Sequence, residues 1–455
     1  MLLARRDALM TALFGAGHVG LRALATGLPA WFLANPRSAT AESLDCAIMA
    51  KEKLQYLIVS CSSQGDPVNC NVPGTYEAPA IIHPNQDTMA ATMVSLGGKS
   101  YGAAKPWAGT DVGGALAPAT LGRTAFFHHT TRTTTHGDQP KVMKLLGGVT
   151  GGDMVVSAFA KHLSPCLGTV QPEPVAVGAR GNASELVSYA GRTLPSISPT
   201  QLKQLLTGSK TDVLVKVRNL RDQSLDQLNA LFKAEGNATQ KAFLDAMALS
   251  QVQVRKLVEQ LATTLNAINS DDAKGQALAA AALISANVTP VVTMHIGFGG
   301  DNHTDTELAT EAAQHVTGVQ AIQQIQDALG MLSLTDKVTF ATLNVFGRNL
   351  NGIPKTDGRT GRDHYGNHAV TVMIGKNVKA GVYGGVSTGS SAAFLASAID
   401  SASGAPNAAG DIPVAQTHAA AMRTLGAALG IPEDQLNTSF TAGAGGKVVR
   451  AAVNV

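Results

Sequence analysis

What this sequence lacks narrows its function before anything it contains. None of its four cysteines, Cys46, Cys61, Cys70 and Cys166, stands in a CxxC pair, which argues against a thiolate zinc site. No excess of one charge survives once the first 41 residues are set aside. The whole chain has 35 Lys and Arg against 32 Asp and Glu; residues 1–41 carry Arg5, Arg6, Arg22 and Arg37 against Asp7, which leaves 31 of each sign. A balanced chain gives no support to nucleic-acid binding or to an anionic membrane surface. Long apolar runs are missing too. The best candidate, Ala8 to Leu33, is broken by His18 and Arg22, so no stable membrane span is expected in the mature chain. The Gly-rich stretch Gly375 to Gly389 lacks the strand–GxGxxG–helix context of a dinucleotide site. Aromatic residues are only 4% of the chain while Ala and Gly are plentiful, as in many tightly packed α/β proteins.

What is present begins with a leader. Arg5-Arg6, a moderately apolar middle and Ser38-Ala-Thr-Ala41 read as an export signal over residues 1–41, ending in an A-x-A cleavage site. The paired arginines and low hydrophobicity resemble a twin-arginine signal, which makes the twin-arginine export machinery an expected partner and the bacterial periplasm or exterior the expected location. The alternative is an amphipathic N-terminal helix of the fold. In an oxidising compartment an even cysteine count suggests disulfides, and Cys61 and Cys70, which bracket a short Gly/Pro loop, are the pair expected to bond.

Short apolar runs at Leu54–Cys61, Val288–Phe298, Lys337–Val345 and Ala369–Ile374 read as buried strands. Glu307–Leu332 and a stretch from Asp411 to Leu429 read as helices. From about 198 to 270 the chain turns polar, with apolar residues at three- and four-residue spacing. This predicts an α-helical insertion packed against the main sheet of one α/β domain spanning 42–455.

Polar chemistry collects just after these strands. Asp66 follows the first, where open α/β folds place ligands; it is equally an ordinary turn residue before Pro67. In the run from Thr124 to Asp138, Phe126 and Phe127 are expected to close a short strand, and the threonines with His136 to open a helix through Leu146. A hydroxyl there suits nucleophilic work or simple N-capping. Asp301-Asn-His303 comes after the Val288 strand, where a period of two would put both side chains on one side. His315 is placed about one turn beyond it. Arg362-Asp363-His364, with His368 four residues on, ends a loop that leaves the Lys337 strand. A carboxylate and an imidazole presented this way are common metal ligands, although polar surface loops look similar.

In this order the pieces resemble the domain-of-unknown-function 1501 family, exported bacterial proteins related to the alkaline phosphatase and sulfatase superfamily. The resemblance spans most of residues 1–435 and is carried by Arg5-Arg6, Gly300-Asp301-Asn-His303, Phe346-Gly347-Arg348, Gly361-Arg362-Asp363-His364 and Asp411 through Ile431. The family's acidic residue before Phe-Gly-Arg is Val345 here, and its Thr-Pro after that Arg is Asn349-Leu350. The resemblance implies a mixed, mostly parallel sheet sandwiched by helices. It also implies one or two divalent ions (zinc, manganese or calcium) and attack on a phosphate or sulfate ester, so the expected partner is an anionic small-molecule or polymer ester. Carried over by position, Asp66 is a ligand from the first strand, Asp301 and His303 serve one ion, Asp363 and His364 the other, and His368 or His418 completes a shell. Thr135, beside His136, stands where a nucleophile would be, with Arg362 or Arg348 neutralising the substrate's charge. A member that kept the fold but lost turnover would instead be a periplasmic or cell-surface binding or assembly protein.

Overall fold

The computed structural model describes residues 51–178, 187–207, 261–351, 360–388 and 394–454, with Cys46, Met49 and a few positions between 208 and 260. The export signal expected over 1–41 and the middle of the expected insertion lie outside the described residues. Strand β1, Tyr56–Ser62, has the sequence YLIVSCS with no charged residue, and all but its first residue are buried. A strand covered on both faces reads this way. Leu57, Val59 and Cys61 enter one apolar cluster and Ile58 the other.

The same alternation recurs along the sheet. Its other strands are β2 (Thr124–His129), β3 (Val175–Val177), β4 (Ser196–Ile197), β5 (Val291–Met294), β6 (Val338–Asn344), β7 (Ala369–Ile374) and β8 (Gly381–Tyr383). They lie in the order β8–β2–β7–β6–β1–β5–β3–β4. Every neighbouring pair is parallel except the two that involve β7, so β7 alone runs against the other seven. Helices α1 (Val155–Leu167) and α4 (Thr417–Ala428) cover the face that carries Leu57 and Val59. Helices α2 (Ala273–Ser285) and α3 (Ala309–Met331) cover the face that carries Ile58. The result is a mostly parallel mixed sheet between two helical layers.

Most expected elements fall within a few residues of the observed ones, and β7 matches at both ends. Two differ for clear reasons. β2 continues through His128 and His129, because both histidines are buried and pair across to β7. β5 stops at Met294, well short of Phe298, where the chain turns into a loop. The insertion leaves and re-enters through helices Pro199–Thr207 and Ala262–Ala267. Leu202, Leu261 and Leu265 are buried in the same cluster as α2. Among the described residues, no helix is long and apolar enough to cross a membrane.

The expected Cys61–Cys70 disulfide does not form. Cys46 and Cys166 are bonded instead, 120 residues apart, while Cys61 and Cys70 remain buried thiols. The side chain of Cys61 points from β1 into the α1/α4 face, whereas Cys70 belongs to a separate small cluster with Ile81, Leu350 and Phe394. Burial pushes the Cys70 thiol up to about 12, so it stays protonated and a poor nucleophile. The Cys46–Cys166 bridge closes a long loop, for which chain entropy predicts a contribution of roughly 2–5 kcal/mol. Urea unfolding of Cys166→Ser, or of the reduced wild type, should therefore show a loss in that range. Cys61→Ser should leave the sensitivity to reductant intact; its disappearance in that variant would contradict the pairing.

Candidate metal centre

Because β7 is reversed, its N-terminal end lies on the edge where β1, β2, β5 and β6 end. The register sets Ala369 opposite His129. Asp66, His136, Asp301 and Arg348 all leave the sheet at this edge, and the 361–368 loop returns to it.

The loops converge on Asp301. Its Oδ1 lies 3.0 Å from His303 Nε2 and 3.2 Å from His364 Nε2, and its Oδ2 lies 3.3 Å from His136 Nε2. His303 Nε2 and His364 Nε2 are 2.8 Å apart. Backbone carbonyls fix the ring tautomers. His136 Nδ1 donates to the Ser63 carbonyl at 2.7 Å, and His364 Nδ1 to the Thr134 carbonyl at 2.7 Å. A carbonyl can only accept, so in the neutral rings both Nε2 atoms are bare lone pairs. They face each other's neighbourhood and an anionic carboxylate, an arrangement that repels unless a cation or proton lies between. His136, Asp301 and His364 are spaced to hold one ion, and His303 Nε2 lies beside Asp301 and His364. Burial pushes the Asp301 carboxyl up, but the hydrogen bond and charge of Arg348 and the neighbouring His364 and His303 outweigh it, leaving it at about 2. Asp301 is thus a permanent anion, as a ligand must be.

Asp301 and His303 do meet, though not by strand pleating. β5 has ended seven residues earlier, and Gly299 and Gly300, with φ of +122° and +52°, turn the chain. The 302–303 and 361–362 segments are held together by backbone bonds from Gly361 N to His303 O and Arg362 N to Asn302 O. A Cβ at Gly361 would stand 1.5 Å from the Asn302 carbonyl oxygen, so only glycine allows the approach.

The remaining sequence-derived site residues are placed as follows. Asp363 stands behind His303, its Oδ1 3.5 Å from Nδ1. Asp66 is buried; its Oδ1 accepts from Gly300 N at 2.9 Å, and its Oδ2 has no hydrogen-bond partner among the described residues. Thr135 is exposed, and its hydroxyl makes no hydrogen bond to the cluster. Neither arginine is available to a substrate. Arg362 is fully buried, paired with Glu311 at 2.8 Å and donating to the carbonyls of Asn349 and Ile82. Arg348 is fully buried as well. It donates to the carbonyls of Gln64, Gly65, Gly300 and Arg362 and to Asp301 Oδ1. Both guanidiniums are buried and bound to protein acceptors.

His368 does not join the cluster. Its Nδ1 accepts from Asn69 Nδ2 at 3.1 Å and its Nε2 meets His128 Nδ1 at 2.9 Å, while His128 Nε2 donates to the Pro73 carbonyl. This chain is satisfied only by neutral rings. His418 likewise stacks on His129 inside the fold, with ring centroids 5.0 Å apart, and His315 accepts from Trp107 Nε1 in the core. Sequence reading missed Glu311, which anchors Arg362. Its signal was present in α3, where Glu311, His315, Val319 and Ile322 share the spacing of one buried face. The carbonyls of Ser63 and Thr134 carry no side-chain signal at all.

Two outcomes follow from these contacts. Arg348→Lys replaces a five-donor fork with a point charge and leaves buried carbonyls unpartnered, so it should cost about 3–5 kcal/mol in urea unfolding. A loss under 1 kcal/mol would contradict the central role given to Arg348. Burial drives His128 and His418 down to about 4, and His129 and His368 well below the ordinary 6.5. These folded-state values lie below the unfolded one, so the unfolded chain binds protons first. Stability is complete above about pH 6.5 and falls towards pH 4, by up to about 1.4 kcal/mol per pH unit for each such ring. Urea midpoints across pH 4.5–7 should show this slope, and His418→Phe should make it shallower.

A model of the family described as Protein of unknown function (DUF1501) matches residues 171–400, half of the chain, including Asp301, His303, Arg348, Asp363 and His364. No curated protein matches the sequence. On the extent of that match, the chain is a member of the DUF1501 family.

Proposed function

We propose that this protein is an exported, metal-dependent hydrolase of phosphate or sulfate esters, built on a fold related to alkaline phosphatases and sulfatases. The observation that carries the reading is the convergence of three imidazole Nε2 atoms on the Asp301 carboxylate, two of them on rings whose Nδ1 meets a backbone carbonyl. Such a set of nitrogen and oxygen donors suits zinc or manganese better than calcium, which prefers oxygen alone. Asp301, His303 and His364, drawn from both Asp/His pairs, share one cluster, which favours a single ion over one ion for each pair. His136, Asp301, His303 and His364 would hold it, with Asp363 orienting His303. A bound ion would polarise the ester oxygen and stabilise the leaving group. Arg348 would keep Asp301 ionised and in place. The mostly parallel sheet with ligands at its C-terminal edge supports the superfamily kinship, and the Cys46–Cys166 bridge supports export to an oxidising compartment.

One observation favours the second reading, a non-catalytic binding or assembly protein. Thr135, the hydroxyl placed nearest by sequence, makes no hydrogen bond to the cluster. Elemental analysis beside an aryl phosphate and aryl sulfate hydrolysis assay separates the two. The hydrolase reading predicts about one metal equivalent and turnover in the wild type, both lost in His364→Ala. In Asp363→Asn, metal affinity should weaken by roughly 10–100-fold. Bound metal without turnover of either ester class supports the binding protein. No metal after incubation with excess zinc or manganese sinks the hydrolase.

A further inference from the structure

The burial of Arg348 and Arg362 leaves open how an anionic group would be recognised. A cleft of about 620 Å³ opens beside the cluster, with His136 and Ser63 on its wall. Lys144 is the only Lys or Arg among the described residues that line it. Its ammonium makes no ion pair among the described residues, whereas its neighbour Lys141 is held by Asp138 at 2.6 Å. Gln139 also lines the cleft and is only 5% exposed. Its Nε2 donates to the Leu343 carbonyl, and its Oε1, itself covered, has no partner among the described residues. Pro140, Met154 and Val187 supply an apolar wall.

We propose that this cleft is the substrate-recognition pocket, with Lys144 as its anion-recognising residue. The substrate class is an organic ester of phosphate or sulfate whose alcohol part carries apolar surface. Lys144 contributes the charge that the two arginines cannot, because both are fully buried within the fold. The Pro140–Met154–Val187 wall covers the hydrocarbon. An unpaired ammonium in a cleft walled by apolar side chains attracts an anion more strongly than one in open water. The proposal rests on the site assigned above, but its test does not require turnover.

The test titrates the full mature protein with 2-naphthyl sulfate, 2-naphthyl phosphate and neutral 2-naphthol, following binding by fluorescence. Wild type should bind the two anions more tightly than the alcohol. Lys144→Gln should weaken both anions by tenfold or more, the size of a charged hydrogen bond, while changing 2-naphthol less than twofold. Lys144→Arg should restore the anions, and metal content should be the same in all three proteins. Equal affinity for anion and alcohol in the wild type, or an equal loss of all three probes in Lys144→Gln, overturns the proposal. The relative losses for sulfate and phosphate tell which ester the pocket favours. Lys144-dependent binding without hydrolysis keeps this pocket and removes the hydrolase reading. Hydrolysis that is indifferent to Lys144 does the reverse.

Discussion

Arg348 has no water to donate to. Its side chain is fully buried, so its N–H groups must find acceptors within the protein or impose a large desolvation cost. The acceptors come from three separate loops: Gln64 and Gly65 after β1, Gly300 and Asp301 after β5, and Arg362 before β7. One guanidinium thereby fixes the relative positions of segments far apart in sequence. The carboxylate on which the histidines converge is among its partners. Two backbone hydrogen bonds between the 302–303 and 361–362 segments add to this tie.

The anchor is itself anchored. Asn69 accepts from the Arg348 amide at 2.8 Å and donates to its carbonyl at 2.9 Å. The same amide group meets His368, which leads on to His128 and Pro73. Each member of this series has a donor facing an acceptor, so the buried rings are held neutral and nothing is left unsatisfied along it. A second buried network, with Arg362 bonded to Glu311 and Glu311 bonded to Asn71 and Asn302, braces the other side. Charged groups inside a protein contribute little net stability as pairs, but removing one partner is costly. Here their effect is geometric: they leave the ligand loops one arrangement.

Much of the framework was legible in the sequence. β6 and β7 are continuous apolar runs bounded by turn residues, and both appear where the pattern puts them. Gly300-Asp301-Asn-His303 and Arg362-Asp363-His364 stood out as clustered ligands, and they do lie in one place. What sequence could not tell was which polar groups face inward. Arg362, read as a substrate-binding charge, and His368, read as a ligand, are both buried, with partners such as Ile82, Asn69 and His128 that lie far away in sequence. The Asp363–His364 pair looked like a unit, yet only His364 turns towards Asp301 while Asp363 turns behind His303. The disulfide failed for a related reason. Closeness along the chain favoured Cys61 and Cys70, but their side chains enter different clusters.

The most direct test of the account is an anomalous-scattering crystal structure of the mature protein grown with zinc or manganese. The account predicts one ion, bonded to Nε2 of His136, His303 and His364 and to the Asp301 carboxylate, with Arg348 still buried against Asp301. An ion bound instead by Asp363, Asp66 or His368, or no ion at the Asp301 cluster at saturating metal, would contradict it.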